Sequence, residues 1–352
     1  MLLLISPPIL SADPEPTKAD KAGKADFDIP AFFDRAANTE DGNLYLLARN
    51  LVSVRGTKAL PFLRKESTSR DWRRQWLAKA ILQQLEKPEL FRRWTIALRG
   101  FDVEFNNDDV TGESKLVLAS PKGSEWDLQR SGTRVSKLEA KQKYGLKNGD
   151  PVPPEALAVA IDVLRGPGHN SSSVRERAYQ VLARYADSPL AVAVVRYRRW
   201  NQGAFVIAAK RLGDALVPPL AELTKTDPQQ MDLSQAEHVI LGLGAIGSRA
   251  SAEMLLDLLS DSRWHSQLFS IASSLEEILP PNRTGEFLEL VQLYDRGQHL
   301  YGQLREVLIA VGAAALPALD AAAAKGSLHE RNIAGGRRDS LGGDRDLHQR
   351  AI

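Results

Sequence analysis

Residues 213–220 read GDALVPPL, and the same pattern recurs as GTKALPFL at 56–63 and as GAAALPAL at 312–319. Each copy has a glycine, two variable residues, two small or aliphatic residues, a proline, one variable residue and a leucine. The glycine suits the left-handed conformation that ends a helix, and the proline suits the first turn of the next helix. The pattern therefore predicts two consecutive helices joined by a tight turn.

The spacing of these glycines indicates a repeat. Gly213 and Gly247 are 34 residues apart, and the 65 residues from Gly247 to Gly312 make about two further steps. A second pattern opens the other helix of each pair, as where Val174-Arg175 leads into an amphipathic run. A constant period with one helix pair per period is typical of helical repeat arrays. The sequence therefore predicts an all-α fold, an α-solenoid in which helix pairs stack into a superhelix.

The combined pattern, G-x-x-A-L-P-x-L followed by a polar break and then V-R-x-x-A-x-x-x-L, resembles the HEAT repeat in its phycobilisome-lyase-like variety. The resemblance covers about residues 40–100 and 153–324. It implies a superhelix of HEAT-like helix pairs, with a concave surface lined by the second helix of each pair. Because this variety includes bilin lyases, it also implies a lyase-like enzyme acting on an open-chain tetrapyrrole as an alternative.

The organisation of the chain follows from where the helical pattern stops. We predict a signal-peptide remnant at 1–12, a linker at 13–40, HEAT-like repeats at 41–100, an insertion at 101–150, further repeats at 151–325 and a disordered tail at 326–352. In the insertion, Phe101, Val103 and Phe105 alternate with charged residues, which predicts a small β-hairpin. Two interpretations of the insertion stay open, a binding element or a tolerated surface loop.

The first residues, MLLLISPPILSA at 1–12, resemble the hydrophobic part of a secretory signal with cleavage near Ala12. They predict an exported protein, periplasmic or in the cell envelope if the source is bacterial. No lysine or arginine precedes the apolar run, so the alternative is an apolar N-terminus on a cytoplasmic protein. No other segment approaches the roughly 18 apolar residues that a membrane span needs, and we predict none.

Composition argues against most kinds of chemistry. The chain has no cysteine, which excludes thiolate catalysis and cysteine-based metal sites. Its six histidines form no metal-binding pair along the sequence. Gly242, Gly244 and Gly247 make a G-x-G-x-x-G motif without a preceding strand, so we interpret them as close helix contacts rather than a dinucleotide site. We therefore predict no catalytic residue, no metal, no cofactor and no enzyme activity.

Three clusters interleave arginines with aromatic residues: 72–76 (WRRQW), 91–94 (FRRW) and 196–200 (RYRRW). Such clusters suit a nucleic-acid groove, and some HEAT-like proteins are DNA glycosylases, so nucleic-acid binding is a second alternative. The favoured interpretation is that the aromatics belong to the core and the arginines extend along its flanks to solvent. A formal net charge of only +2 makes nucleic acid an unfavoured partner.

The favoured function is a non-enzymatic scaffold that binds a protein or peptide partner on the concave surface. Outward positions of the second helices are polar and varied, and carry no convergent acid–base pair. We call these positions the predicted polar strip, and its residues are Gln75, Lys79, Gln83, Arg177, Gln180, Arg184, Gln235, His238 and Arg305.

Overall fold

The computed structural model describes residues 28–100, 102–107, 114–119, 142–147, 149–167, 172–226 and 233–275, and a few positions between 278 and 324. The predicted signal-peptide remnant, Arg305 of the polar strip and the predicted tail lie outside the described residues. Export therefore stays a prediction.

The first block of the fold is a set of short helices with brief connections. They are α1 (Ile29–Asn38), α2 (Gly42–Val54), α3 (Leu60–Glu66), α4 (Trp72–Glu86) and α5 (Pro88–Gly100). Helix α4 packs against α1, α2, α3 and α5. Helices α2 to α5 lie within 41–100, the range of the predicted HEAT-like repeats, and one further helix precedes them.

Helix α1 corrects the prediction of a linker at 13–40, which is wrong for residues 29–38. Its start is stabilised by Asp28, whose carboxylate accepts a hydrogen bond from the Ala31 N–H at 3.1 Å. Pro30 lies in the first turn, where a missing N–H is harmless. Phe33 and Ala36 are fully buried, so the helix is held by the core that it covers.

The glycine–proline pattern forms the turn that it predicts. Gly56 and Gly213 have φ values of 54° and 55°, which favour glycine over any other residue. Each glycine opens a 3₁₀ turn, Gly56–Ala59 or Gly213–Leu216, that leads directly into an α-helix with proline in its first turn. The final leucines of both copies, Leu63 and Leu220, are fully buried. In each copy the glycine thus reverses the chain, and the final leucine holds the next helix in the core.

The predicted β-hairpin is present within the insertion. Strand β1 (Asp102–Asn107) pairs antiparallel with β2 (Ser114–Ala119), and Phe105 lies opposite Leu116. Leu116 is buried, and its carbonyl accepts a hydrogen bond from the Val152 N–H at 3.0 Å. The hairpin also packs against α5 and against the helix Ser172–Tyr185 of the second block, which is described below. It is therefore part of the packed structure, and most of the remaining insertion lies outside the described residues.

The second block is a stack of helix pairs in two layers. Its helices are α6 (Leu157–Arg165), α7 (Ser172–Tyr185), α8 (Ala191–Tyr197), α9 (Gln202–Leu212), α10 (Val217–Thr224), α11 (Leu233–Ile246), α12 (Arg249–Ser260) and α13 (Leu268–Leu275). Helices α7, α9, α11 and α13 contact one another in chain order, and α8, α10 and α12 form the other layer. This is the nearest-neighbour packing of a repeat array, and the all-α prediction is confirmed.

A buried polar contact joins the two blocks. Asp162 on α6 accepts hydrogen bonds from the Tyr45 hydroxyl at 2.7 Å and from Arg49 Nε at 2.8 Å, both on α2. Burial raises the pKa of Tyr45 well above its usual value, and the neighbouring Asp162 carboxylate raises it further. Tyr45 therefore stays a neutral donor that fixes α2 against α6.

Close helix packing in the second block depends on glycine. A Cβ atom at Gly242 on α11 would lie 2.7 Å from the Phe205 ring of α9. One at Gly244 would lie 2.9 Å from Cβ of Ser274 on α13. The interpretation of the motif as close helix contacts is confirmed for Gly242 and Gly244, whereas Gly247 has a φ of 67° and follows the end of α11.

We expect Gly242→Ala to lower the free energy of unfolding by about 1–3 kcal/mol, since the new methyl group would overlap the buried Phe205 ring. Alanine's helix propensity, about 1 kcal/mol better than glycine's, offsets only part of this. Gly203→Ala is the matched control, because a Cβ there would meet only the Asn201 side chain, at 3.6 Å. It should leave stability unchanged or raise it slightly in urea denaturation. Equal effects of the two changes would contradict the close packing of α9 on α11.

Candidate functional site

A strongly charged concavity is a cleft of about 390 Å³ between the two blocks, which we call the arginine cleft. Five arginines and a single glutamate line it, with two aromatic rings. The lining residues are Thr39, Glu40, Gly42, Trp72, Arg73, Leu164, Arg165, Gly166, Arg175, Arg196, Tyr197 and Arg199.

Helix ends build this cleft. It lies where α1 ends, α2 and α4 begin, α6 ends, α7 begins and α8 ends. The approach is close, because a Cβ at Gly42 would lie 2.5 Å from the Gly166 carbonyl oxygen. Side chains from distant parts of the sequence are thereby brought into one space.

The wall of the cleft is fixed by Arg165, which is only 8% exposed. Its Nη2 donates to the carbonyl oxygens of Ala36 at 2.7 Å and Ala37 at 2.8 Å, near the end of α1. Its Nη1 donates to the Arg73 carbonyl at 3.2 Å, at the start of α4. The guanidinium also lies 4.4 Å from the centre of the Tyr45 ring. Arg165 thus holds three helices together, and its donors are engaged by the protein itself.

Glu40 provides the cleft's negative charge. Its carboxylate pairs with Arg73 at 3.3 Å and also with Arg196. The Glu40 side chain is 55% exposed, so solvent weakens both pairs. Two arginines thus share one accessible carboxylate.

On the other side of the cleft, Trp200 lies between two arginines. The guanidinium carbons of Arg175 and Arg199 are 4.7 Å and 5.0 Å from its ring. Arg175 is buried, and its Nε has no hydrogen-bond partner among the described residues. Burial lowers the pKa of Arg175, and the positive charge of Arg199 lowers it further. The free cleft therefore keeps two like charges close together without a carboxylate between them.

The arginine–aromatic clusters of the sequence divide between two roles. Arg73 and Arg199 line the cleft. Arg74 is instead paired with Asp34 and Glu66, and Arg198 is buried and donates to the Val195 carbonyl at 2.9 Å. The structure therefore does not bring all the clustered arginines into one nucleic-acid groove. The clusters at 72–76 and 196–200 thus supply both core and cleft residues, whereas no residue of the cluster at 91–94 lines the cleft.

A second concavity contains two residues of the predicted polar strip, and we call it the Lys79 groove. It is an open groove of about 440 Å³ near the end of α4 and the start of α6. Lys79 Nζ lies 4.0 Å above the Trp76 ring, and Gln83 Nε2 donates to the Glu155 carbonyl at 3.1 Å. Its lining residues are Ser67, Trp76, Lys79, Leu82, Gln83, Glu86, Lys87, Leu90, Pro154, Glu155 and Ala158.

Burial affects the polar groups of the Lys79 groove. It lowers the pKa of Lys79, and the Asp187 carboxylate opposes this shift. Trp76 Nε1 and Gln83 Oε1 are buried without a hydrogen-bond partner among the described residues. Unpaired buried polar atoms are costly and uncommon. The groove therefore carries a donor and an acceptor that a bound molecule can satisfy after small side-chain rotations.

Two positions of the predicted polar strip do not face outward as expected. His238 is 7% exposed and lies against Phe205, with ring centres 6.5 Å apart. Arg177 donates to the Leu98 carbonyl at 2.7 Å and to the Arg99 carbonyl at 3.2 Å, at the end of α5. The contact between α9 and α11 buries the histidine, and the unpaired carbonyls of α5 engage the arginine. Gln75, Gln180, Arg184 and Gln235 are half-buried, and neither concavity includes them.

The two concavities offer guanidinium, ammonium, amide and indole groups to a ligand. Within the described ranges, no group of three histidines or carboxylates is placed to hold a metal ion. None of the described helices combines the length and the apolar character needed to span a bilayer. The arginine cleft offers guanidinium forks, which remain charged and suit anions.

Sequence reasoning missed Glu40 and Arg165 as site residues. The sequence did indicate part of the cleft, because two arginine–aromatic clusters supply five of its lining residues, Trp72, Arg73, Arg196, Tyr197 and Arg199. No periodicity links these positions to Arg165, which reaches the end of α1 across 128 residues. No protein-family model matches the sequence, and none of the curated proteins is significantly similar to it.

We expect Arg165→Met to lower the free energy of unfolding by about 3 kcal/mol, since it leaves the Ala36 and Ala37 carbonyls at the end of α1 without their donor. Arg35→Met is the matched control, because Arg35 is exposed on the same helix that Arg165 caps. A surface change of this kind should stay within about 0.5 kcal/mol. Urea denaturation monitored by circular dichroism gives both values. An Arg165→Met protein as stable as the control would show that α1 does not depend on this guanidinium.

Proposed function

We propose that the protein is a non-enzymatic helical-repeat scaffold of the HEAT type, which holds a polypeptide segment of a partner protein in the Lys79 groove. The observation that carries the proposal is the groove itself, where Lys79 and Gln83 of the predicted polar strip lie together. Its apolar side chains, Trp76, Leu82 and Leu90, offer surface to bury. Burying such surface is the main favourable contribution to protein association.

The polar groups of the groove suit a peptide backbone. A peptide has alternating carbonyl and N–H groups, so it can accept from Trp76 Nε1 and donate to Gln83 Oε1, for which the described residues provide no partner. Around them stand charges of both signs, Lys79 and Lys87 with Glu86 and Glu155. Such a mixed rim suits side chains that follow an extended segment better than it suits a uniformly charged polymer.

The repeat architecture also supports a binding role. Arrays in which each helix pair contacts its neighbours present extended surfaces, and these commonly bind other macromolecules. The proposal includes export of the protein, on the basis of the apolar residues 1–12, so the partner would be an envelope or secreted protein.

We expect affinity capture with the full chain to retain a partner that Lys79→Glu loses. Reversing the charge at the centre of the groove should weaken binding at least tenfold, equivalent to about 1.4 kcal/mol. Lys210→Glu makes the same change at an exposed position on α9, outside both concavities, and should retain the partner. Mass spectrometry identifies the retained proteins, and thermal melts confirm that both variants are folded. Capture of the same proteins by Lys79→Glu and Lys210→Glu would contradict binding in the groove.

A further inference from the structure

We propose that the arginine cleft binds a phosphate monoester, either on a phosphorylated side chain or on a small molecule. This site is distinct from the Lys79 groove, and its ligand differs from the peptide segment proposed there. The proposal rests on the charge of the cleft, on one unpaired buried donor and on the way Glu40 occupies part of the space.

The charge of the cleft requires an anion. Five arginines and one glutamate line about 390 Å³, which gives a net local charge of four positive. The whole chain, by contrast, has a formal net charge of +2. The concentration of positive charge is therefore a local feature of this cleft, and like charges held close together favour binding of a counter-charge.

Arg175 is the donor that a ligand would satisfy. It lines the cleft, is 9% exposed and has an Nε without a partner among the described residues. Within the described part of the chain its one hydrogen bond, from Nη2 to the Gly166 carbonyl, is long at 3.4 Å. The guanidinium carbons of Arg175 and Arg199 lie 4.7 Å and 5.0 Å from the centre of the Trp200 ring, a contact that limits the conformations of both side chains. A preorganised donor set loses little conformational entropy on binding.

On the side of the cleft opposite Arg175 and Arg199, the Glu40 carboxylate occupies the place of an anion. Its carboxylate bridges Arg73 and Arg196, which come from α4 and α8. Because its side chain is 55% exposed and follows the end of α1, a stronger anion can displace it at small cost. In the free protein, two arginines on this side of the cleft thus already bind one carboxylate together.

The number of guanidiniums favours phosphate over carboxylate. One guanidinium can donate to both oxygens of a carboxylate. A phosphate monoester has three terminal oxygens and up to two negative charges, so it can bind several guanidiniums. Arg73, Arg175 and Arg199 enter the cleft from three different elements, so they can donate to different oxygens. Leucine and aromatic side chains complete the wall, and a cleft of about 390 Å³ suits a single substituent better than a duplex backbone.

The test is isothermal titration calorimetry on the full chain at fixed ionic strength, with inorganic phosphate, O-phosphoserine and a phosphoserine peptide beside its unphosphorylated form. We expect the three phosphate-bearing probes to bind and the unphosphorylated peptide not to bind. A peptide tighter than O-phosphoserine assigns the ligand to a phosphorylated protein, and equal affinities assign it to a small molecule. Absence of binding by every phosphate probe up to about ten millimolar would overturn the proposal, whatever the Lys79 groove binds.

Variants locate the binding in the cleft. Arg199→Ala removes an exposed guanidinium from the cleft and should weaken phosphoserine binding at least tenfold, while Glu40→Gln should strengthen it several-fold by removing the competing charge. Arg92→Ala is the control, because Arg92 is an exposed arginine above the Tyr144 ring and outside the cleft. It should leave the affinity unchanged. Equal loss in Arg199→Ala and Arg92→Ala would overturn the assignment, as would duplex DNA binding more tightly than every phosphate monoester.

Discussion

The placement of the arginine cleft depends on one buried guanidinium, that of Arg165 at the end of α6. Its donors hold the carbonyls of Ala36 and Ala37 at the end of α1 and the carbonyl of Arg73 at the start of α4. A buried charge without partners costs several kcal/mol, and the end of a helix carries partial negative charge that compensates it. The three helix ends must therefore stay together. Arg73 is thereby positioned at the cleft, where Glu40 pairs with both Arg73 and Arg196.

The same helices carry both proposed binding surfaces. Helix α4 begins at the arginine cleft with Trp72 and Arg73 and lines the Lys79 groove from Trp76 to Glu86, so Gln83 lies ten residues, or about 15 Å along the axis, beyond Arg73. Helix α6 runs between the two as well, because its preceding 3₁₀ turn and Ala158 line the groove, and Arg165 lines the cleft. The connections between the helices are short and each helix packs against its neighbours, which holds the two surfaces at a constant separation. The two surfaces are therefore chemically distinct sites on one support.

Local patterns in the sequence predicted local structure well. Gly56 and Gly213 have the positive φ that their pattern requires, and Leu63 and Leu220 are buried as expected. Helix α1 was missed because its apolar face is short, although Asp28 followed by Pro30 is a helix-start signal. The arginine cleft was beyond sequence reasoning, because it joins residues from six helix ends whose approach depends on tertiary packing. His238 was misplaced for a related reason, since its burial comes from the contact of α11 with α9.

The most direct test of the central claim, that the helix ends held by Arg165 place Arg73, Arg175 and Arg199 around one anion site, is a crystal structure of the full chain with tungstate. Tungstate is a tetrahedral dianion like a phosphate group, and its anomalous scattering locates it independently of the surrounding chain. We predict one tungstate between Arg73, Arg175 and Arg199, with Arg165 still bound to the carbonyls of Ala36 and Ala37. Tungstate absent from the cleft at saturating concentration, or an Arg165 turned away from α1, would contradict the account.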